Sequence, residues 1–151
     1  MNISFDLDGV VADGHRFNLC LVNGIYLVDE ALAMKAELEY YRSRPLLMHP
    51  NNMLAEGDTG YIITSRKPYS EDITRKWLKR HGILCDIVFA DHADTINWKD
   101  DPEASIKAAR LKMQAILDLH IDVHIDNNPT IIQTMRKVLP ATTAILVGGE
   151  R

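Results

Sequence analysis

Residues Ile3 to Asp13 read Ile-Ser-Phe-Asp-Leu-Asp-Gly-Val-Val-Ala-Asp. A short apolar run, Ile3 to Phe5, is followed by Asp6 and Asp8 two residues apart and then at once by Gly9. An apolar strand that stops in two carboxylates and a glycine has the form of a ligand site, because open α/β sheets bind at the carboxyl ends of their strands. In extended chain the side chains of residues i and i+2 share a side, so Asp6 and Asp8 can face one small volume. Two carboxylates held together repel, and a hard cation or a shared proton relieves them. Gly9 lets the chain leave with positive φ and little bulk near a ligand. Asp and Gly also form ordinary turns, and this stretch alone leaves a plain turn open.

A chain of 151 residues fits one domain with a real core. Apolar residues make up 46%, which argues against disorder. The formal charge of -4 gives no basic footprint, so nucleic acid is not favoured as a partner. Cys20 and Cys85 lie far apart in apolar surroundings without metal-ligand spacing, and read as buried thiols of a reducing compartment. No secretory pattern opens the chain and no apolar run reaches membrane-spanning length, so a cytoplasmic protein without a membrane partner is expected.

From His15 to about Tyr41, apolar residues such as Phe17, Leu21, Ile25, Leu32 and Leu38 recur, and Gly24 breaks the run into a helix pair or a hairpin-like excursion. Arg42 to Gly60 holds Pro45, Pro50, Asn51, Asn52 and Gly57 and reads as loop. Tyr61-Ile62-Ile63 is a second strand, ending in Thr64-Ser65-Arg66. Ser70 is the expected N-cap of a helix with Glu71 and Asp72 in its first turn, Ile73, Trp77 and Leu78 on one face, and Gly82 as its stop. Cys85 to Ala90 reads as a third strand. A polar connection from Asp91 to Asp101 leads to Pro102, which opens a helix towards Leu119. Ile121 to Ile125 is a fourth strand, ending in Asp126-Asn127-Asn128-Pro129. The next helix is capped by Asn128, with Ile131, Ile132, Met135 and Val138 as its buried stripe, and Thr143 to Val147 is a fifth strand.

Strands alternating with helices imply right-handed crossovers and a parallel sheet covered on both sides. The expected class is α/β, a three-layer doubly wound, Rossmann-like parallel sheet of about five strands. Three of its strands end in polar residues, at Asp6, Thr64 and Asp126, and those ends meet on one edge if the strands are neighbours.

Phe5-Asp6-Leu7-Asp8-Gly9-Val10-Val11 resembles the first motif of the haloacid dehalogenase (HAD) superfamily, Asp-x-Asp-Gly after a strand. The later family motifs match in order: Thr64 as the hydroxyl ending the second strand, Lys112 as the upstream lysine, and Asp126 as the acid ending the fourth. Lys107 is an alternative to Lys112; five residues turn a helix by about 140°, so the two cannot both face one site. The ordered set spans most of the chain. It implies one domain over 1–151, with a core of 1–13 and 58–151 and a small helical cap inserted at 14–57 above an open cleft.

The resemblance further implies a Mg²⁺-dependent phosphatase of small phosphate monoesters. Asp6 is then the nucleophile that forms an aspartyl-phosphate, and Asp8 the general acid and base. Asp6 and Asp126, with the backbone carbonyl of Asp8, are the expected Mg²⁺ ligands. Thr64 and Ser65 hold a phosphoryl oxygen, Lys112 offsets negative charge, and Arg66 is a candidate for substrate contact, as is His15. Thr64-Ser65-Arg66-Lys67-Pro68 and the segment Thr74 to Leu78 resemble small 5′-nucleotidase-like members, which makes a nucleoside monophosphate the first substrate to try. Asn127 departs from that pattern, since such relatives carry a second acid there. A HAD-like scaffold that binds metal or a partner without turnover therefore stays open, beside a receiver-like phospho-acceptor module. His120, Asp122, His124 and Asp126 alternate along one strand, but zinc-type sites rarely draw ligands that way.

Overall fold

The structure is a computed structural model that describes residues 1–14, 21–22, 25–26, 29–91 and 102–148. His15, Cys20, Gly24 and most of the polar connection before Pro102 lie outside the described residues. The elements run β1 (Asn2–Phe5), β2 (Leu21–Val22), β3 (Ile25–Tyr26), α1 (Glu30–Arg42), β4 (Thr59–Thr64), α2 (Glu71–Arg80), β5 (Asp86–Phe89), α3 (Pro102–Asp118), β6 (Val123–Asp126), α4 (Pro129–Val138) and β7 (Thr143–Leu146). Five strands form one parallel sheet in the order β5-β4-β1-β6-β7, while β2 and β3 pair antiparallel by themselves. The expected doubly wound α/β class is what the chain adopts, with β1 at the centre and the order reversing there.

Two apolar clusters cover the two sheet faces. Ile3, Phe5, Ile62 and Ile125 pack with Trp77 and Leu78 of α2. Ile63 and Ala144 pack with Ile116 of α3 and Ile131, Ile132 and Met135 of α4. Neighbours Ile62 and Ile63 go to opposite clusters because strand side chains alternate. The apolar run Tyr61-Ile62-Ile63 in β4 follows from this double burial. The register Phe5↔Ile62 and Phe5↔Ile125 brings the ends of β4, β1 and β6 level.

Between β1 and β4, α1 is capped by Asp29, whose side chain accepts from the N–H of Leu32. It packs against α2. The stretch read as loop does hold a short 3₁₀ turn at Pro50–Met53, and β4 starts two residues before the expected Tyr61.

Three local expectations need correction. Ser70 does not cap α2 with its side chain: Pro68–Ser70 winds as a 3₁₀ turn straight into the helix, and the Ser70 hydroxyl donates to the carbonyl of Lys67 at 2.8 Å. Val138 is 56% exposed rather than part of the buried stripe, because Leu139, four residues after Met135, fills the end of that stripe instead. Cys85 is only partly buried, and burial still pushes its thiol pKa up. Asn128 caps α4 as expected, accepting from the N–H groups of Thr130 and Ile131. Among the described residues, no helix is long and apolar enough to cross a membrane.

Candidate active site

The loop after β1 is built by backbone geometry. Asp6 donates its N–H to the carbonyl of Ile125 at 2.9 Å, which ties the first acid to β6. The carbonyl of Leu7 then accepts from Val11 and Ala12, and Gly9 donates to Ala12 at 2.8 Å. Gly9 sits at φ +88, and a Cβ there would lie 2.0 Å from Nδ2 of Asn127. The glycine is needed for its conformation and for its lack of bulk. Gly14 backs the same loop, since a Cβ on it would come within 2.4 Å of the Gly9 nitrogen.

Two carboxylates meet on one lysine. Nζ of Lys112, on α3, lies 2.9 Å from Oδ1 of Asp6 and 2.9 Å from Oδ2 of Asp126. Lys112 is 2% exposed, whereas Lys107 stands in solvent, so Lys112 is the lysine placed at the acids. Oδ1 of Asp126 accepts the N–H of Asn128 at 2.9 Å. Its Oδ2 also faces Nε2 of His124 at 3.1 Å, and Nδ1 of that ring lies 2.7 Å from the hydroxyl of Ser4.

Burial raises the pKa of Asp6 to about 7; Lys112 works against this, while Asp126 and Asp8 add to it. Burial acts the same way on Asp126, but the His124 hydrogen bond and Lys112 outweigh it and hold that carboxyl low, near 2. Burial would depress Lys112, and the two acids more than reverse that. His124 is lowered by burial and stays a neutral ring. With Nε2 donating to Asp126, its Nδ1 is free to accept from Ser4.

The third acid is held separately. Arg66 donates from Nε to Oδ2 of Asp8 at 2.8 Å and from Nη2 to Oδ1 at 2.6 Å. Its Nη1 donates to the hydroxyl of Thr74 at 3.0 Å, and its guanidinium carbon lies 3.8 Å from the ring centre of Tyr41. The Arg66 N–H donates to Oγ1 of Thr64 at 3.1 Å, which leaves the hydroxyl hydrogen of Thr64 to be given elsewhere.

Asp6, Asp8, Thr64, Ser65, Arg66, Lys112 and Asp126 all line one cavity of about 290 Å³ at the carboxyl edge of the sheet. Of the residues expected there from sequence, all but His15, which lies outside the described residues, are therefore brought together. Arg66 reaches it with its guanidinium already committed to Asp8. Tyr41, Asn128 and Ile131 also line it and were not anticipated. Tyr41 gave no sequence signal beyond being an aromatic residue of the insertion. His124 and Ser4, behind Asp126, had one: two residues apart on a strand, His124 and Asp126 share a face. A second cavity of about 990 Å³ runs between α3 and α4 and shares Ser65, Asn128 and Ile131 with the first.

Among the described residues, no group of three His, Cys, Asp or Glu side chains is arranged to hold a metal. His120 is exposed, and Asp122 accepts the N–H of Asn2, so the alternating strand forms no such cluster. Asp6 and Asp126 with the Asp8 carbonyl make a sparse, all-oxygen donor set, the kind Mg²⁺ takes alongside waters and phosphate oxygens. Among the described residues Asp6 takes a side-chain hydrogen bond on Oδ1 only. Two carboxylates on one ammonium also leave a negative charge for a cation to meet.

Fold and site together define a doubly wound α/β domain with an acid-lined cavity where its strand order reverses. In solved structures it is similar to a chain of the Pnkp1/Rnl/Hen1 RNA repair complex, with a TM-score of 0.58 and 17% identity over 96% of this chain and 41% of that one. A second structure of the Pnkp1/Rnl/Hen1 complex gives a TM-score of 0.59 and 18% identity over 99% and 46%. The chain thus spans less than half the length of the chains it matches, and the likeness is one of fold. No family model matches it, and no curated protein does.

Proposed function

We propose that the protein is a HAD-like phosphohydrolase that cleaves a small phosphate monoester through an aspartyl-phosphate on Asp6. The supporting observation is the convergence of Asp6 and Asp126 on the buried Lys112 inside a cavity that also holds Asp8 and Thr64. An oxygen of Asp6 attacks phosphorus, and the alcohol departs with a proton that Asp8 carries once one of its oxygens is released from the Arg66 fork. Water then attacks phosphorus, gives its proton to Asp8, and releases phosphate with Asp6 restored. Thr64 and the N–H of Ser65 hold phosphoryl oxygens, and Lys112 offsets their charge. Asp6 and Asp126 would hold Mg²⁺, which when bound screens the approach of one anion to another. The groove between α3 and α4 gives the leaving group room beside Ser65.

A nucleoside monophosphate is the substrate to try first. The net charge of -4 favours a small anion over a nucleic-acid end. Because the fold resembles chains of an RNA repair complex, a phosphorylated RNA end belongs in the same panel. The test is phosphate release from that panel with Mg²⁺ or EDTA, beside Asp6→Asn. Metal-dependent release that the variant loses supports the reading. Mg²⁺ binding without release from any ester would instead support a non-catalytic scaffold, a reading that Asn127, where a second acid is expected, keeps alive.

A further inference from the structure

We propose that Tyr41, on the inserted helix α1, is a positioning residue for Asp8 and acts through Arg66. The inference rests on the role given to Asp8 above.

The Arg66 side chain is almost fully buried, and each end of its guanidinium is committed. Nε and Nη2 fork onto Asp8, and Nη1 goes to Thr74. The plane of the fork decides where the Asp8 carboxyl group points, and the hydrogen bonds lie within that plane. They do little to stop the plane tilting. The Tyr41 ring, 3.8 Å away, closes one face of it. A cation stacked on an aromatic face in a water-poor place is held more firmly than one on a wet surface.

The ring is itself tied down. Its hydroxyl donates to Oε1 of Glu37 at 2.5 Å, one turn back on α1. The other oxygen of Glu37 accepts the hydroxyl of Tyr69, which leads into α2. Burial, with Asp8 and Glu37 nearby, lifts the Tyr41 phenol well above its usual range, so it remains a donor. Tyr69, Glu37, Tyr41, Arg66 and Asp8 thus form one chain of contacts from the core, through the insertion, and back to the acid. The hydroxyl of Tyr41 is used on Glu37, which leaves the flat of its ring as the part that acts.

The test compares kcat/KM for two esters with Tyr41→Leu and Tyr41→Phe. This parameter covers steps only up to departure of the leaving group, so water attack on the phosphoenzyme does not blur it. 4-Nitrophenyl phosphate loses a leaving group that needs no proton, whereas a nucleoside monophosphate loses an alkoxide that does. Tyr41→Leu should cost about 10-fold or more on the nucleotide and under about 3-fold on the aryl ester, the mark of a misplaced general acid. Tyr41→Phe keeps the ring and should restore near wild-type rates on both. Equal losses on the two esters would mean that Tyr41 only packs, and a change in KM alone would mean that it touches substrate; either overturns the proposal. If Tyr41→Leu does not fold, Arg66→Lys keeps the charge, loses the fork, and should show the same selective loss. A wild-type chain that cleaves neither ester removes the reading beneath the proposal, an outcome distinct from selective or unselective losses in a working enzyme.

Discussion

Lys112 answers two carboxylates, Asp6 and Asp126, whereas Arg66 answers Asp8 alone. The first cluster draws on the end of β1, on β6 and on α3, and once Asp6 ionises, near pH 7, it carries one negative charge in excess. The second is charge-balanced and straddles core and insertion, with Tyr41 of α1 against the guanidinium. An unbalanced buried pair invites a cation and a reacting anion. A balanced, forked pair fixes geometry instead. Under the proposed reading, the site separates the acids meant for charge-driven chemistry from the acid whose place must be exact.

Removing one acid from each cluster gives the sharpest contrast. Asp6→Asn should lower kcat by about 10⁴-fold or more while leaving the metal-free protein at least as stable at pH 7.5, since a repulsive buried charge is gone. Asp8→Asn should also lose activity, yet be destabilised by about 1–3 kcal/mol because the buried Arg66 loses its counter-charge and one of its two acceptors on residue 8. Urea unfolding in EDTA beside phosphate-release assays reads both. Equal stability changes would break the comparison.

Lys112→Met leaves two buried carboxylates without their cation and should cost about 3–5 kcal/mol. Added Mg²⁺ should raise its Tm more than that of the wild type. Lys107→Met, on the same helix but in solvent, should change neither stability nor rate. A Lys107 variant that behaves like the Lys112 one would mean that α3 is turned differently.

The pH dependence of metal-free stability carries the same signature. Asp6 has a folded pKa near 7, against an ordinary 3.8. From about pH 4 to 7 the unfolded chain therefore gives up a proton that the folded chain keeps, and stability falls as pH rises. The slope is at most about 1.4 kcal/mol per pH unit. Asp126 acts the other way: its low folded pKa adds stability above pH 3.8 that is lost towards pH 2. Unfolding in EDTA at pH 5 and 7.5 should show the fall in the wild type and not in Asp6→Asn.

The smallest expected effect is at the loop both clusters share. Gly9→Ala should cost about 1–2 kcal/mol for its positive φ, and more while Asn127 stands 2.0 Å from the new Cβ. Combining it with Asn127→Ala should recover the steric part only, which a double-mutant cycle measures.

The sheet was legible because each strand carries its own signal. β4 is an apolar run that ends in polar residues, β6 sets Val123 and Ile125 in alternation before Asp126, and Asn128 and Pro129 mark a helix start that the structure keeps. The acids, Thr64 and Lys112 were legible because they follow ordered motifs. What stayed hidden depends on long-range geometry. Nothing near Arg66 says that its fork will be spent on Asp8, 58 residues back, rather than on substrate. Tyr41 belongs to a stretch whose periodicity Gly24 interrupts, and its partner Glu37 is also held by Tyr69, 32 residues further on. Ser70 misled because Pro68 starts a tighter turn that local capping preference does not foresee.

The central strand has a consequence for how the molecule comes together. β1 finds Thr59 opposite Asn2 on one side, and His124 opposite Ser4, 120 residues further on, at the other. Such pairings close large loops before they yield contacts, which is the mark of a slow folder. Phe5 packs with α2, but the N–H of Asp6 has no partner until β6 brings the carbonyl of Ile125. A chain ending before Val123 would carry all of Asp6 to Gly9 and still lack Asp126, so the acid-lined cavity is completed only near the end of assembly.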